Sequence, residues 1–302
     1  MPPRVSIGLP VFNGERYLSK AIASILAQDF QDWELIIADN ASADQSLDIS
    51  LDYAAKDSRI SIHRSDVNRG AAWNFNRCVH LAGGHYFRWA AHDDELEPSL
   101  LSQCVQVMDN EPEVVLCHSR TLKIDAHGVV IGELPSWCAL DRSPRRRVAK
   151  VMLSMGNCTA MFGVTRRVQL LRTQLERPYG ASDRALMAQL ALMGKLYEIP
   201  QFLFRNREYT ERSGGAIRDR RMRDAFLDPN RNIRWSMPRW QLLLGYAHAL
   251  ATTPVPMHIR ASGLGVLPQW VFRQKGNLVY DLLRLLKPVK ADPVETDGEL
   301  AG

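Results

Sequence analysis

The first 125 residues alternate between short apolar runs and segments with helical spacing, and this alternation constrains the fold more than any other feature. The runs typical of strands are 5–9, 35–38, 60–63, 86–90 and 113–124, and the helical segments between them are 15–27, 44–56, 71–81 and 98–108. Pro10 is expected to end the first strand. A repeated strand–helix order predicts an α/β fold with a mainly parallel sheet and helices on both of its faces.

Polar side chains follow three of the predicted strands. Asn13 comes after the first, Asp39 and Asn40 after the second, and Asp93 and Asp94 after the fourth. Because the carboxyl ends of parallel strands lie at one edge of a sheet, these groups should converge. Paired carboxylates there are hard oxygen ligands that suit Mg²⁺ or Mn²⁺, ions that commonly accompany phosphates. Taken alone, an Asp-Asp-Glu run is more often a solvated loop or the start of a helix.

The rest of the chain is less regular. Residues 157–164 resemble a strand, 183–192 a helix, and 196–207 one or two strands broken at Pro200. From about residue 216 the sequence is rich in Arg, Trp, Leu and Pro, with amphipathic segments at 240–250 and 278–286. The small and acidic residues 291–302 are expected to be disordered.

Composition narrows the possible classes of protein. With 302 residues, 46% of them hydrophobic and 24% charged, the chain can bury a full core. It has no run of 18 apolar residues, its N-terminus lacks the pattern of a signal peptide, and its five cysteines are widely spaced. These features favour a cytoplasmic protein with free thiols and no zinc site.

The net charge of +5 is concentrated in two Arg-rich stretches, 145–147 and 218–223. A basic surface suits phosphorylated ligands, anionic lipids or nucleic acid, or is simply solvated. Because no nucleic-acid-reading motif accompanies the Arg-rich stretches, we expect no nucleic-acid partner.

Several motifs in order resemble those of the family 2 glycosyltransferases. They are Val5-Ser6-Ile7-Gly8-Leu9-Pro10-Val11-Phe12-Asn13-Gly14-Glu15, Trp33-Glu34-Leu35-Ile36-Ile37-Ala38-Asp39-Asn40-Ala41-Ser42, Asn68-Arg69-Gly70 and His92-Asp93-Asp94. The resemblance is strong over residues 4–125 and looser to about residue 213. It implies the GT-A fold and inverting transfer of a sugar from a nucleotide diphosphate donor. The expected organisation is a catalytic domain at 1–215, a helical C-terminal extension at 216–290 and a tail at 291–302.

The resemblance also implies a donor-binding site. Its members in this chain would be Pro10, Val11, Phe12, Asn13, Glu15, Asp39, Asn68, Gly70 and Asp93. Pro10, Val11 and Phe12 would line the base and ribose, and Asp39 would accept an N–H group from uracil, thymine or guanine. Asp39 could instead cap the following helix. Glu15 would accept from a ribose hydroxyl or serve as an N-terminal helix charge.

The metal motif departs from the usual family pattern. Asp94 is the expected ligand of Mg²⁺ or Mn²⁺, while Asp93 would contact the ribose or sugar or assist with the metal. His92 would be a ligand, a donor contact or an ordinary loop residue. Ala91 stands where relatives carry the first Asp of an Asp-x-Asp-Asp motif, which leaves fewer carboxylates for the ion.

The general base of the family is an acidic residue at the start of a helix in the second half of the domain. Asp183 fits this position, with a helix cap as its structural alternative. Many relatives carry a metal-binding His after the following strand, but this chain has Arg207 and Arg212 nearby and no His. Either guanidinium could pair with the diphosphate, or both could form surface ion pairs with Glu208 and Glu211.

The implied partners are a UDP-, dTDP- or GDP-sugar donor and a glycan or lipid-linked acceptor. Trp and Arg residues in the C-terminal extension would allow peripheral contact with the inner face of the plasma membrane, but packing of these helices on the catalytic domain or on a partner subunit is the favoured explanation. Two other classes compete with the transferase: a non-catalytic GT-A-like module in a glycan assembly complex, and a sugar nucleotidyltransferase. The latter should carry a Gly-rich loop after the first strand, which Pro10-Val11-Phe12-Asn13-Gly14 does not resemble.

Overall fold

The computed structural model describes residues 2–208, 226–229 and 237–285. Its first half has the predicted strand–helix alternation. The elements are β1 (Val5–Val11), α1 (Glu15–Leu26), β2 (Trp33–Asp39), α2 (Ser46–Ala54), β3 (Ile60–Arg64), α3 (Ala71–Leu81), β4 (Tyr86–Trp89), β5 (Glu95–Leu96), α4 (Leu100–Asn110) and β6 (Val114–Ile124). The second half adds β7 (Val130–Glu133), α5 (Pro144–Ser154), a 3₁₀ turn (Thr159–Phe162), β8 (Val164–Arg166), α6 (Arg167–Leu170), α7 (Ser182–Met193), β9 (Lys195–Arg207), α8 (Pro238–Thr252), α9 (Met257–Leu264) and α10 (Leu267–Leu285).

The strands form one sheet in the order β3-β2-β1-β4-β8-β6-β9-β5, with β7 paired to β6. The ladders joining β3, β2, β1 and β4 are parallel, as is the β6–β9 ladder. Among the strands of the described ranges, only the short β5, β7 and β8 run antiparallel to their neighbours. The expectation of a mainly parallel sheet is therefore confirmed.

Three local expectations were wrong. β1 continues through Pro10, which pairs with Ala38, and ends at Val11. Pro10 is tolerated because the β1–β4 ladder stops at Gly8, so the missing N–H leaves no β4 partner unpaired. Within residues 157–164, a 3₁₀ turn occupies 159–162, and only Val164 lies in a strand, β8. β9 continues through Pro200, with a register shift against β6 at this point.

Apolar cores lie on both faces of the sheet. One core lies between the sheet, α1 and α4, and the other between the sheet, α3, α5 and α7. The helices α8, α9 and α10 join the second core, to which they contribute Leu242, Tyr246, Leu250 and Trp270. These C-terminal helices therefore share their apolar interior with the helix that begins at Ser182.

The C-terminal helices use their tryptophans for packing. Trp270 is buried, and the Trp240 ring N–H donates to the carbonyl of Leu278. No helix in the described ranges is long and apolar enough to cross a membrane. All five cysteines are free thiols. Arg212, the 215/216 boundary, the 218–223 stretch and the 291–302 tail lie outside the described residues.

Candidate active site

The loops after β1 and β2 are joined at the carboxyl edge of the sheet. Asn13 has a positive φ of 50°, and its side-chain oxygen accepts from the N–H of Ala43 at 2.9 Å. The N–H of Asn13 donates to the Ser42 hydroxyl at 3.0 Å. Glu15 accepts from the N–H of Gln45 at 2.9 Å. The side chains of Asn13 and Glu15 thus fix the shape of this edge.

Asp39 lies at the end of β2, opposite Val11 in the β1–β2 ladder. Its carboxylate is buried, accepts from the N–H of Ser42 at 3.3 Å and lies 3.8 Å from Nε of Arg64. Pro10 and Val11 are also buried, whereas Phe12 is 37% exposed. A buried acceptor with an apolar neighbour suits recognition of a donor group.

An amide network continues the same edge toward α3. Asn40 donates to the Asn68 side-chain oxygen at 2.8 Å and accepts from the N–H of Arg69 at 3.1 Å. The Asn68 oxygen also accepts from the N–H of Gly70 at 2.9 Å. Gly70 has a φ of 85°, and a Cβ there would lie 2.9 Å from Cα of Asp228. A residue without a Cβ is required on both counts.

Asp93 and Asp94 lie in the turn between β4 and β5, and both side chains are buried. Asp94 accepts from the N–H of Arg207 at 2.8 Å and from the Asn206 side chain at 3.1 and 3.2 Å. The carboxylate of Asp94 is therefore oriented by the end of β9.

Arg207 is fully buried, and its guanidinium stabilises the turn that carries Asp93 and Asp94. Its Nε donates to the carbonyl of Asp93 at 2.8 Å, and one terminal nitrogen donates to the carbonyl of Asp125 at 2.8 Å. The other forms an ion pair with Glu95, and the guanidinium lies 4.5 Å from the ring centre of Tyr17. This position differs from the expected one at the diphosphate, because the guanidinium has no exposed surface to offer a ligand.

His92 packs on the β1–α1 loop, where a Cβ at Gly14 would lie 2.9 Å from its Cγ. Within the described part of the chain, no three His, Cys, Asp or Glu side chains form a cluster that could hold a metal by themselves. Mg²⁺ and Mn²⁺ need less than that when phosphate oxygens and water complete the shell. The buried Asp93–Asp94 pair fits an ion of that kind.

Asp183 lies in the first turn of α7. One residue, Gly194, separates this helix from β9, and the helix packs on β6 and β9, so its N-terminus lies toward the carboxyl edge of the sheet. Burial raises the pKa of the Asp183 carboxyl, while the Cys158 thiol and the positive charge of Arg184 partly oppose this change. A carboxylate with a raised pKa is a better proton acceptor near neutral pH.

The loop before Asp183 is held by the C-terminal helices. Gln189 of α7 accepts from the N–H of Gln174 at 2.8 Å and donates to the carbonyl of Ala249 at 3.1 Å. Tyr179 of this loop packs against Gly245 of α8, where a Cβ would lie 2.7 Å from its Cζ. The position of Asp183 thus depends on residues well beyond the first 215.

We expect Gly245→Ala to destabilise the protein by about 1–3 kcal/mol, because the added methyl group overpacks the rigid Tyr179 ring. Urea unfolding would measure the loss. Gly276→Ala in α10 is the matched control, since a Cβ there meets no atom of the described part of the chain within 4 Å. The control should stabilise the protein by up to about 1 kcal/mol. Equal effects of the two changes would show that Gly245 does not support the loop.

Sequence reasoning missed Asn206, Glu95 and Glu176, all of which contact or influence the candidate residues. Asn206 and Glu95 act across 112 positions of sequence, and no local pattern marks such a pair. Glu176 lies in an irregular loop, where periodicity gives no signal.

Comparison with known proteins gives one consistent family. The family model described as "Glycosyl transferase family 2" matches residues 6–167, more than half of the chain. EpsE of Bacillus subtilis (strain 168) is 34% identical over 128 residues, which are 42% of this chain and 46% of EpsE. Chondroitin synthase of Escherichia coli is 29% identical over 135 residues, 45% of this chain and 20% of the synthase. The matched regions thus span less than half of each relative.

Solved structures agree on the fold. S. aureus TarS 1–349 superposes with a TM-score of 0.65 at 13% identity, covering 92% of this chain and 79% of that chain. The same fragment in complex with UDP-GlcNAc also gives 0.65, at 14% identity and the same coverage. Mannosyltransferase PcManGT from Pyrobaculum calidifontis, in complex with GDP-Man and Mn²⁺, gives 0.52 at 17% identity, covering 96% and 89%.

These matches confirm that the sheet and its flanking helices have the GT-A fold, followed by helices in the C-terminal segment. The family match extends across the sheet edge that carries Asn13, Asp39 and Asp94. The chain belongs to glycosyl transferase family 2.

Proposed function

We propose that this protein transfers a sugar, with inversion, from a nucleotide diphosphate donor to a hydroxyl group of a glycan or glycolipid. The observation that carries the proposal is the placement of three carboxylates, Asp39, Asp94 and Asp183, toward the carboxyl edge of one mainly parallel sheet. Asp39 ends β2, Asp94 follows β4, and Asp183 begins the helix that leads into β9. Each position matches one part of the reaction: the nucleotide, the diphosphate and the acceptor.

The donor would lie along the ends of β1 and β2. Asp39 would accept an N–H group of the base, and Phe12, the partly exposed residue of the β1 end, would contact the base or ribose. The tightly bonded Asn40–Asn68–Gly70 network would hold the neighbouring loop rigid. Such pre-ordering lowers the entropic cost of binding a flexible nucleotide.

A divalent ion would be held by Asp94, with Asp93 as a second ligand or a sugar contact. Such an ion would neutralise the charge that develops on the leaving diphosphate. The protein would orient the metal ligand. Asn206 and the backbone of Arg207 fix the Asp94 carboxylate, and the side chain of Arg207 fixes the turn that carries Asp94.

Asp183 would act as the general base. Its carboxylate would take the proton of the acceptor hydroxyl while that oxygen attacks the anomeric carbon. The bond between the anomeric carbon and the diphosphate oxygen breaks, and its electron pair leaves with the nucleoside diphosphate. Attack from the face opposite the leaving group inverts the anomeric centre.

The names of several relatives and solved structures support the proposed classes of donor and acceptor. TarS binds UDP-GlcNAc and PcManGT binds GDP-Man in the solved complexes. WcaA of Escherichia coli (strain K12), 36% identical over 100 residues, 33% of this chain and 36% of WcaA, is named for colanic acid biosynthesis. These names support UDP or GDP as the nucleotide, dTDP is retained from the resemblance in sequence, and we favour a surface polysaccharide or its lipid-linked precursor as the acceptor.

A thermal-shift panel of UDP, dTDP and GDP, each with and without Mn²⁺, tests the donor site. We expect one nucleotide to stabilise the protein in the presence of Mn²⁺, by about 2.7 kcal/mol at one hundred times its Kd. Asp94→Asn should remove the increment due to Mn²⁺, whereas Asp52→Asn on the exposed face of α2 should leave it unchanged. An unchanged Mn²⁺ effect in Asp94→Asn would move the ligand elsewhere, and no stabilisation by any nucleotide would contradict the donor site.

A further inference from the structure

A second carboxyl group, that of Glu176, lies beside the candidate base. Glu176 belongs to the loop between α6 and α7, and its backbone is hydrogen-bonded to the side chain of Asn76 of α3. The Asn76 side chain donates to the carbonyl of Glu176 at 2.8 Å and accepts from its N–H at 2.9 Å. These two hydrogen bonds fix the backbone of Glu176 near the N-terminus of α7.

The two oxygens of Glu176 have unequal surroundings. Oε2 accepts from the hydroxyl of Ser182, the residue directly before Asp183. Oε1 is buried and has no hydrogen-bond partner among the residues that the structure describes. An ionised carboxylate needs donors for both oxygens, and a buried anionic oxygen without one is costly. A protonated carboxyl group, with its proton on Oε1, fits these surroundings better.

The charges around Glu176 favour the same state. Among the described residues, the titratable and charged groups around Glu176 and Asp183 are Arg184 of α7, Cys158 before the 3₁₀ turn, Arg177 and Tyr179 of the same loop, and Tyr246 of α8. The Arg184 guanidinium donates to the carbonyls of Met155 and Gly156. Burial, followed by the charge of Asp183, raises the pKa of Glu176 to about 8.

We propose that Glu176 is a positioning residue that stays a neutral carboxylic acid beside Asp183, so that Asp183 is the single anionic carboxylate at the acceptor side of the site. The proposal rests on the assignment of Asp183 as the base. A neutral Glu176 keeps the acceptor side at one negative charge, which limits repulsion of the donor diphosphate. Its contact with Ser182 also fixes the first turn of α7 and with it the base.

Ionisation of Glu176 at higher pH should therefore oppose transfer. A second negative charge would arise at an oxygen that has no donor, and the loop that holds Asp183 would have to rearrange. We expect kcat/KM of the wild type to fall on the alkaline side with a midpoint near the Glu176 pKa of about 8.

Glu176→Gln tests the proposal, because glutamine is neutral at every pH and keeps an oxygen for the Ser182 hydroxyl. We expect the variant to retain transfer at pH 7 within about three-fold and to lose the alkaline fall, or to have it displaced upward by about one pH unit or more. An alkaline limb identical to that of the wild type would overturn the proposal. Loss of transfer at pH 7 in a folded variant would overturn it as well, since it would mean that the charge is required.

A second readout needs no substrate. Because the folded-state pKa of Glu176 lies above its ordinary value of 4.5, its contribution to stability is complete below pH 4.5 and is lost as the pH rises through about 8. Urea unfolding between pH 5 and 9 should therefore show a smaller decline for Glu176→Gln than for the wild type. Glu111→Gln, at an exposed position, is the control and should decline like the wild type.

The two readouts separate this proposal from the assignment of the base. If Asp183→Asn retains transfer, the base assignment fails, while the unfolding experiment still reports on Glu176. If Asp183→Asn abolishes transfer but Glu176→Gln changes neither the alkaline limb nor the pH dependence of unfolding, only the role of Glu176 fails.

Discussion

Asp183→Asn is expected to lower kcat for sugar transfer by about 10²- to 10⁴-fold, the usual contribution of a positioned general base. Asparagine keeps the size and the hydrogen-bonding oxygen of the side chain but cannot accept a proton at neutral pH. Nucleotide binding should be preserved, because Asp183 lies at the start of α7 and the proposed donor contacts lie at the ends of β1, β2 and β4. Transfer rates at saturating donor and acceptor, together with a donor titration, would measure the two properties separately.

The raised pKa of Asp183 adds a pH signature to this experiment. In the wild type, kcat should fall at acidic pH as Asp183 becomes protonated, and burial moves that fall above the range of an ordinary aspartate. The residual activity of Asp183→Asn should lack this acidic limb. Asp52→Asn on α2 serves as the control and should keep both the rate and the limb. Turnover of Asp183→Asn close to that of the wild type would exclude Asp183 as the base.

Most of the sheet could be predicted because its signals are local. The apolar runs around Ile7, Ile37 and Phe87 are strands covered on both faces, and the helices between them carry apolar residues at helical spacing. Where the spacing is uninformative the prediction failed. Residues 157–164 are apolar enough for a strand, yet 159–162 close into a 3₁₀ turn, and a short apolar run does not distinguish the two.

The residues of the candidate site also differ in whether a local sequence signal marks them. Asp39 and Asp94 could be proposed as site residues because each comes just after a predicted strand, and Asp183 because it lies at the start of a predicted helix. The structural role of Arg207 could not be predicted, because its partners Asp93 and Glu95 lie more than one hundred positions away in the sequence. A sequence gives the charge of such an arginine but not its burial, and burial decides whether it binds a ligand or holds a loop.

Arg207→Met is expected to destabilise the protein by about 3 kcal/mol, at the lower end of the usual cost of breaking a buried ion pair, because Glu95 remains 24% exposed. Methionine fills much of the volume but leaves Glu95 without its cation and the Asp93 carbonyl without a donor. Because the same guanidinium holds the turn that carries Asp94, nucleotide binding that depends on Mn²⁺ should weaken as well. Urea unfolding and the thermal-shift panel would measure the two effects.

Arg205→Met supplies a matched control, since Arg205 lies two residues earlier on β9 and pairs with Glu97. Both side chains of that pair are about one-third exposed, so its loss should cost at most about 1 kcal/mol and leave Mn²⁺-dependent binding intact. Strong nucleotide binding in Arg207→Met, at temperatures where it is folded, would show that the turn keeps its shape without the guanidinium. Loss of nucleotide binding without loss of stability would instead indicate a direct contact with the diphosphate, the role expected from sequence. The combination of lower stability and weaker Mn²⁺-dependent binding, absent from Arg205→Met, is the outcome that a buried positioning arginine requires.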